Sequence, residues 1–186
     1  MWPVARCREC AGRRLAFASA RAAVEYDESV RALVSGWKER GLRGLASLAA
    51  SVVVEVVPPP SAQLIAFVPA DGDRSLRRGH HPPERLASEL GRAWDVPVAP
   101  LLRRTRPLRP QRGLARAERR RNVRGAFRAE PHRGRVLLVD DVYTTGSTVA
   151  AAASALRAAG AVAVDVVTFA RAVLGGTRLP PPSRIV

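Results

Sequence analysis

The sequence predicts an α/β fold, a parallel sheet flanked by helices, and three observations carry that prediction. From Gln63 onward, short apolar runs alternate with longer helical patterns. Val136 to Val139, Val-Leu-Leu-Val, is too short for a helix and apolar at every position, which suits a strand buried on both faces. That strand leads through Asp140-Asp141 and a Thr-Thr-Gly-Ser-Thr loop into Val149 to Ala159, which is Ala-rich, lacks Pro and Gly, and reads as a helix.

The elements follow in order. Leu15 to Tyr26 alternates loosely and reads as a strand entering the domain. Asp27 caps a helix from Glu28 to Arg40, with Val30, Leu33, Val34 and Trp37 on its buried face. Lys38-Glu39-Arg40-Gly41 closes it with basic residues and a glycine. Leu42 to Val57 forms a second helix, stopped by Pro58-Pro59-Pro60. Gln63 to Pro69 is a buried strand. The loop Ala70 to Pro83 follows, with Arg74, Arg77, Arg78 and Gly79. Pro83 to Asp95 is a helix with Leu86, Leu90 and Trp94 on one stripe. Val98 to Leu102 is a short strand. Arg103 to Val123 is a basic loop with a helical turn around Ala115 to Arg121, and Gly125 to Arg128 is another short strand. After the Asp140-Asp141 strand and its helix, Gly160 provides the C-cap and Val162 to Phe169 the last strand. The expected division is residues 1–14 as an N-terminal extension, 15–173 as one α/β domain, and 174–186 as a disordered tail.

Composition narrows the class. At 186 residues and 47% hydrophobic, the chain is long enough for one cored domain and too apolar to be disordered. No apolar run reaches membrane-spanning length, since Ala49 to Val57 is interrupted by Glu55. The first residues lack a secretory pattern, so a cytoplasmic location and no membrane insertion are the expectation. Cys7 and Cys10 are too few for a disulfide framework. Cys-x-x-Cys supplies half of a zinc knuckle, so bound Zn²⁺ is not expected in this chain alone.

The net charge is +15, and Lys38 is the only lysine. Codon usage in a GC-rich genome accounts for part of this arginine excess. Its distribution still matters: thirteen arginines and two acids lie between Arg103 and Arg135. Such a cluster suits a polyanion, whether pyrophosphate, nucleotide or single-stranded nucleic acid, although a solvated charged face is the commoner outcome. Few aromatics are interleaved, which weakens a base-stacking reading.

Chemistry concentrates at residues 136–148. Loop amides and a helix N-terminus favour a phosphate. Thr144, Thr145, Ser147 and Thr148 add hydroxyl donors, Ser147 or Thr148 suits the helix cap, and Gly146 allows close backbone approach. Asp140 and Asp141 stand where they can accept hydrogen bonds from sugar hydroxyls. A 5-phosphorylated ribose satisfies every part. An ordinary strand, turn and capped helix explains the apolar run but not two adjacent carboxylates beside an anion loop.

This stretch closely resembles the phosphoribosyl pyrophosphate (PRPP) signature of type I phosphoribosyltransferases. The resemblance implies that Asp140 and Asp141 hold the ribose hydroxyls and that Thr144 to Thr148 hold the 5-phosphate, with Val142 and Tyr143 completing the PRPP-binding set. From Cys7 to about Arg171 the chain also resembles the ComF family, competence-associated proteins built on a phosphoribosyltransferase domain. The pieces that carry this are Tyr26, Lys38-Glu39-Arg40-Gly41, Val68-Pro69, Arg78-Gly79, Gln111 with Leu114, Ala117 to Phe127, and the signature. Two departures stand out. The family's four-cysteine zinc module is reduced to Cys7 and Cys10, which reads as a remnant or a truncation. The first loop continues with His80-His81 where the family has Phe-Asn.

The resemblance implies displacement of pyrophosphate at ribose C1, with Mg²⁺ bridging ligand oxygens and Arg78 stabilising the departing charge. Gln111, Glu118, Arg119 and Asn122 would belong to a flap over the site. No residue presents itself as a general base, and Thr144 stands where purine-salvage enzymes carry an acid. Three functions remain open: a phosphoribosyltransferase with an unknown acceptor, a non-enzymatic competence factor binding single-stranded DNA and an uptake helicase, or a PRPP sensor.

Overall fold

The computed structural model describes residues 15–40, 44–70, 80–106 and 116–172, apart from the side chains of residues 39, 40, 116, 117, 119 and 120. In order the elements are β1 (Ser19–Glu25), α1 (Glu28–Arg40), α2 (Leu45–Val56), β2 (Leu64–Phe67), α3 (Pro82–Trp94), β3 (Leu102–Arg104), α4 (Arg116–Val123), β4 (Phe127–Ala129), β5 (Arg135–Tyr143), α5 (Ser147–Ala158) and β6 (Ala163–Arg171).

Four strands form one parallel sheet in the order β1-β6-β5-β2. Val136 pairs with Leu64 on one side and Val164 on the other, so β5 is central. Side chains alternate across a strand. Leu137 and Val139 therefore meet one helical layer and Val136 and Leu138 the other. The first layer is α2 and α3, whose Ala49, Val53, Leu86 and Leu90 pack on Ile65, Leu137, Val139 and Val167. The second is α5, whose Val149, Ala152, Ala153 and Leu156 pack on Val136, Leu138, Val164 and Val166. Burial on both faces is why the strand reads as an unbroken apolar run, and each such side chain contributes about 1.5–3 kcal/mol.

The expected elements from Gln63 onward are present, with four adjustments. The sheet extends past the predicted alternation, because β1 joins it as a parallel edge strand beside β6. Val98 makes only an isolated bridge to Ile65, and the predicted strand is displaced to β3. β3 and β4 leave the main sheet and pair with each other, antiparallel. Leu102 and Phe127 turn inward onto α5, beside Arg103, Arg104 and Arg128. The predicted turn in the basic loop is the eight-residue helix α4, packed against α5 and anchored by Val123. The Arg106 guanidinium donates to the Asn122 and Arg124 carbonyls at its C-terminal end.

At α1 the predicted cap is present, the Val30 amide donating to Asp27 Oδ1 at 2.8 Å. Val34 and Trp37 are buried as expected, with Val30 and Leu33 packed beside them.

Candidate functional site

The site is built at the carboxyl end of β5, where ligands of parallel α/β sheets bind. β5 does not stop at the carboxylates. It continues to Tyr143, so Asp140 and Asp141 are strand residues, each only 8% exposed. The acids were expected at the strand's end, and the strand runs two residues past them. The β6 ladder explains the extension: Asp140 pairs with Thr168 and Tyr143 with Arg171. A strand fixes the two backbones rigidly, and alternation sends the carboxylates to different sides.

Asp141's amide donates to Asp140 Oδ1 at 3.0 Å. Lys38 Nζ lies 2.7 Å from Asp141 Oδ2. Lys38 was expected to serve the C-terminal end of its own helix; it reaches across to β5 instead. Burial pushes the Asp140 carboxyl up to about 7, and the neighbouring Asp141 carboxylate adds to this. Lys38, the Asp141 amide and Arg104 pull it back only in part. For Lys38, burial works against the charged form, but the attraction of Asp141 and Asp140 outweighs it and the net shift is upward.

Two further basic groups stand nearby. Burial lowers the pKa of His81, against the pull of Glu84 and Asp141. Its ring meets Phe67 edge-on at 5.7 Å. Arg104, on β3, donates through Nε to the Pro69 and Ala70 carbonyls, both at 3.0 Å, with its guanidinium 5.1 Å above the Phe127 ring. His80 Nε2 lies 2.6 Å from the Trp37 carbonyl, which ties the last turn of α1 to the start of α3.

The hydroxyl loop follows β5 directly. Thr145 and Ser147 are buried, and their hydroxyls share a hydrogen bond of 2.9 Å. The N-cap of α5 is Gly146, with φ +69° and no side-chain cap, in place of the expected Ser147 or Thr148. A side chain at Gly146 would be strained at that φ and would collide with the Tyr143 ring. Tyr143 in turn lies under the Arg171 guanidinium at 5.6 Å. The Ser147 amide donates to Thr145 Oγ1 at 3.4 Å, and a helix N-terminus that opens on a glycine lets an anion approach its backbone closely.

Of the predicted residues, the structure brings together Asp140, Asp141, Val142, Tyr143, Thr144, Thr145, Gly146, Ser147 and Thr148 on β5, its loop and the start of α5. Glu118 and Asn122 sit on α4, which packs against α5. Arg78, Gln111, Cys7, Cys10 and the Arg119 side chain lie outside the described residues. Among the described residues no three His, Cys, Asp or Glu side chains cluster as a metal site, and no helix is long and apolar enough to cross a membrane.

The chain is 34% identical over 143 residues to competence protein F of Haemophilus influenzae, covering 73% of this chain and 62% of that protein. It is a homologue of that competence protein. The chain is also 42% identical over 108 residues to the DNA utilization protein YhgH of Escherichia coli K12, covering 55% of this chain and 46% of that one. It thus spans less than two thirds of the length of these relatives. No protein-family model matches it. Among solved structures it overlaps in part with orotate phosphoribosyltransferase from Aeropyrum pernix, at TM-score 0.42 and 24% identity over 70% of this chain and 62% of that one. A similar overlap, at TM-score 0.42 and 24% identity over 68% of this chain and 25% of that one, is with glutamine PRPP amidotransferase of B. subtilis.

Sequence reasoning missed the direct partner of Asp141. One signal was available: Lys38 is the chain's only lysine. Arg104 and His81 carried no comparable signal, one being an arginine among many and the other a histidine in a loop.

Proposed function

We propose that this chain binds Mg-PRPP, or a closely related phosphoribosyl ligand, and transfers or senses its phosphoribosyl group. The supporting observation is the juxtaposition on β5 of the buried Asp140-Asp141 pair with a glycine-capped helix N-terminus. The two Asp carboxylates accept from the ribose hydroxyls. The α5 amides and the hydroxyls of Thr144 to Thr148 hold the 5-phosphate, whose charge the helix dipole favours. Tyr143 packs the loop from behind.

A divalent cation fits this donor set. Two hard carboxylates stand side by side, and Asp140 is raised chiefly by burial and next by the charge of Asp141, which a cation would relieve. Asp140 and Asp141 would hold Mg²⁺ through its water or ligand oxygens. Bound there, the ion would neutralise charge developing on a departing pyrophosphate. The protein's own part is to orient the sugar and to place positive charge around C1, with Arg78 the residue proposed for the leaving group. Gln111, Glu118, Arg119 and Asn122 are proposed to close over the bound ligand.

Calorimetric titration of Mg-PRPP into the protein and into Asp140→Asn/Asp141→Asn tests this. Binding that the double variant loses supports the reading, and a folded wild-type protein that does not bind overturns it.

A second reading is favoured by the exposed arginines of β3, α4 and β4 and by the printed names of the relatives. Arg103, Arg106, Arg121, Arg124 and Arg128 are all solvent-facing. On this reading the protein acts in the cytoplasm in DNA uptake. It would hold single-stranded DNA on that surface and pass it to a helicase, without catalysis. Steeply salt-dependent DNA binding would support it.

A further inference from the structure

The single lysine is in an unusual place. Thirty of the thirty-one basic residues are arginine, yet the group beside Asp141 is an ammonium. Pairing with a carboxylate is a task arginine performs at least as well, through two parallel N–H donors. An ammonium differs in being a compact point charge with three donors that can be shared among partners. One donor is committed to Asp141. The side chain is still 34% exposed, so a ligand can reach it.

Position adds a second argument. The hydroxyl loop and α5 stand over one face of the sheet, where Val149 and Leu156 join the core with Val136 and Leu138. Lys38 follows Trp37, which belongs to the core of the opposite face with Phe67 and Val139. Asp140 and Asp141 lie on the strand between the two. Lys38 thus approaches the carboxylates from the face opposite α5, which is where the far end of a sugar anchored by its 5-phosphate in the loop would find a cation. The last turn of α1 is also held in place, by the His80 contact to the Trp37 carbonyl.

We propose that Lys38 binds the second anionic group of the ligand, the one carried at ribose C1, while Asp140 and Asp141 hold the sugar. This rests on the phosphoribosyl reading above and extends it: the ligand is anionic at both ends. Lys38 is then a binding residue that distinguishes PRPP from ribose 5-phosphate.

Titrate Mg-PRPP and, separately, ribose 5-phosphate with Mg²⁺ into the wild type, Lys38→Gln and Lys38→Arg. Lys38→Arg keeps the charge facing Asp141 and guards against a folding defect in Lys38→Gln; thermal melts identify the folded variants. The expected result is a loss of PRPP affinity of about tenfold or more in both variants, with ribose 5-phosphate affinity unchanged within about twofold. Equal losses for both ligands would mean that Lys38 only positions Asp141, and would overturn the proposal. Unchanged PRPP affinity in a folded variant would overturn it as well. A wild type that binds neither ligand removes the phosphoribosyl reading itself, and this one with it.

Discussion

The backbone amide of Asp141 donates to the carboxylate of Asp140 at 3.0 Å, so the second acid of the pair helps to stabilise the charge of the first. The help is insufficient, and burial still raises Asp140 to about 7. A ligand that needs Asp140 ionised must displace its proton. Affinity for Mg-PRPP is therefore expected to rise between pH 6 and pH 8. Calorimetry in two buffers of different ionisation enthalpy would reveal the proton release, and Asp140→Asn would abolish it.

The same group sets a stability trend of the opposite sense. Between its unfolded value of 3.8 and its folded value of about 7, the native state holds more protons than the unfolded chain. Stability contributed by Asp140 is thus present at low pH and lost as pH rises through that window. His81, held low by burial, works the other way where it titrates. The wild type should therefore lose more stability than Asp140→Asn between pH 5 and pH 8, measured by urea denaturation without ligand. Identical pH profiles would contradict the placement of Asp140 in a buried, crowded site.

Gly146→Ala should destabilise the protein by about 1–2 kcal/mol from the left-handed backbone alone. The collision with Tyr143 adds to that cost. Chemical denaturation measures it, and a neutral result would mean that the loop can adopt another turn.

His80→Ala should cost about 1–3 kcal/mol, because the buried Trp37 carbonyl loses a hydrogen-bond partner. Under the Lys38 proposal it should also weaken PRPP binding by loosening the last turn of α1. Loss of stability with ligand affinity intact would separate the two roles.

Arg121, Arg124 and Arg128 are exposed and lie far from the β5 loop in sequence. If the arginine face binds single-stranded DNA, replacing all three with Ala should reduce the slope of log K against log salt by about 2. The melting temperature should stay within about 2 °C. An unchanged slope would remove this face from consideration as a DNA surface.

What could be read from the sequence follows its physical signals. The doubly buried strands announced themselves because burial on both faces requires unbroken apolar runs, as at Val136 to Val139. Asp27 was legible as a cap because its spacing before an amphipathic stretch admits one partner. The β3–β4 pair was not, since strands of three residues, Leu-Arg-Arg and Phe-Arg-Ala, are too short to carry a readable periodicity. The continuation of β5 was hidden because adjacent acids resemble a loop until the β6 ladder is seen. The cap of α5 was ambiguous among several hydroxyls and one glycine, and only the backbone angle decides it. Lys38 and Asp141 are joined by tertiary structure alone, although the rarity of lysine was in view.

The strand order has a consequence for how the molecule assembles. β1 precedes every other described strand in the chain, and its neighbour in the sheet, β6, follows them all; Ser19 ends up opposite Asp165. During synthesis β1 must wait, unpaired, until β6 has been made. Such long-range closure is slow and leaves an edge open to the wrong partners. The Lys38–Asp141 contact is long-range as well, joining the end of α1 to β5, so the site is assembled only once β5 has been made.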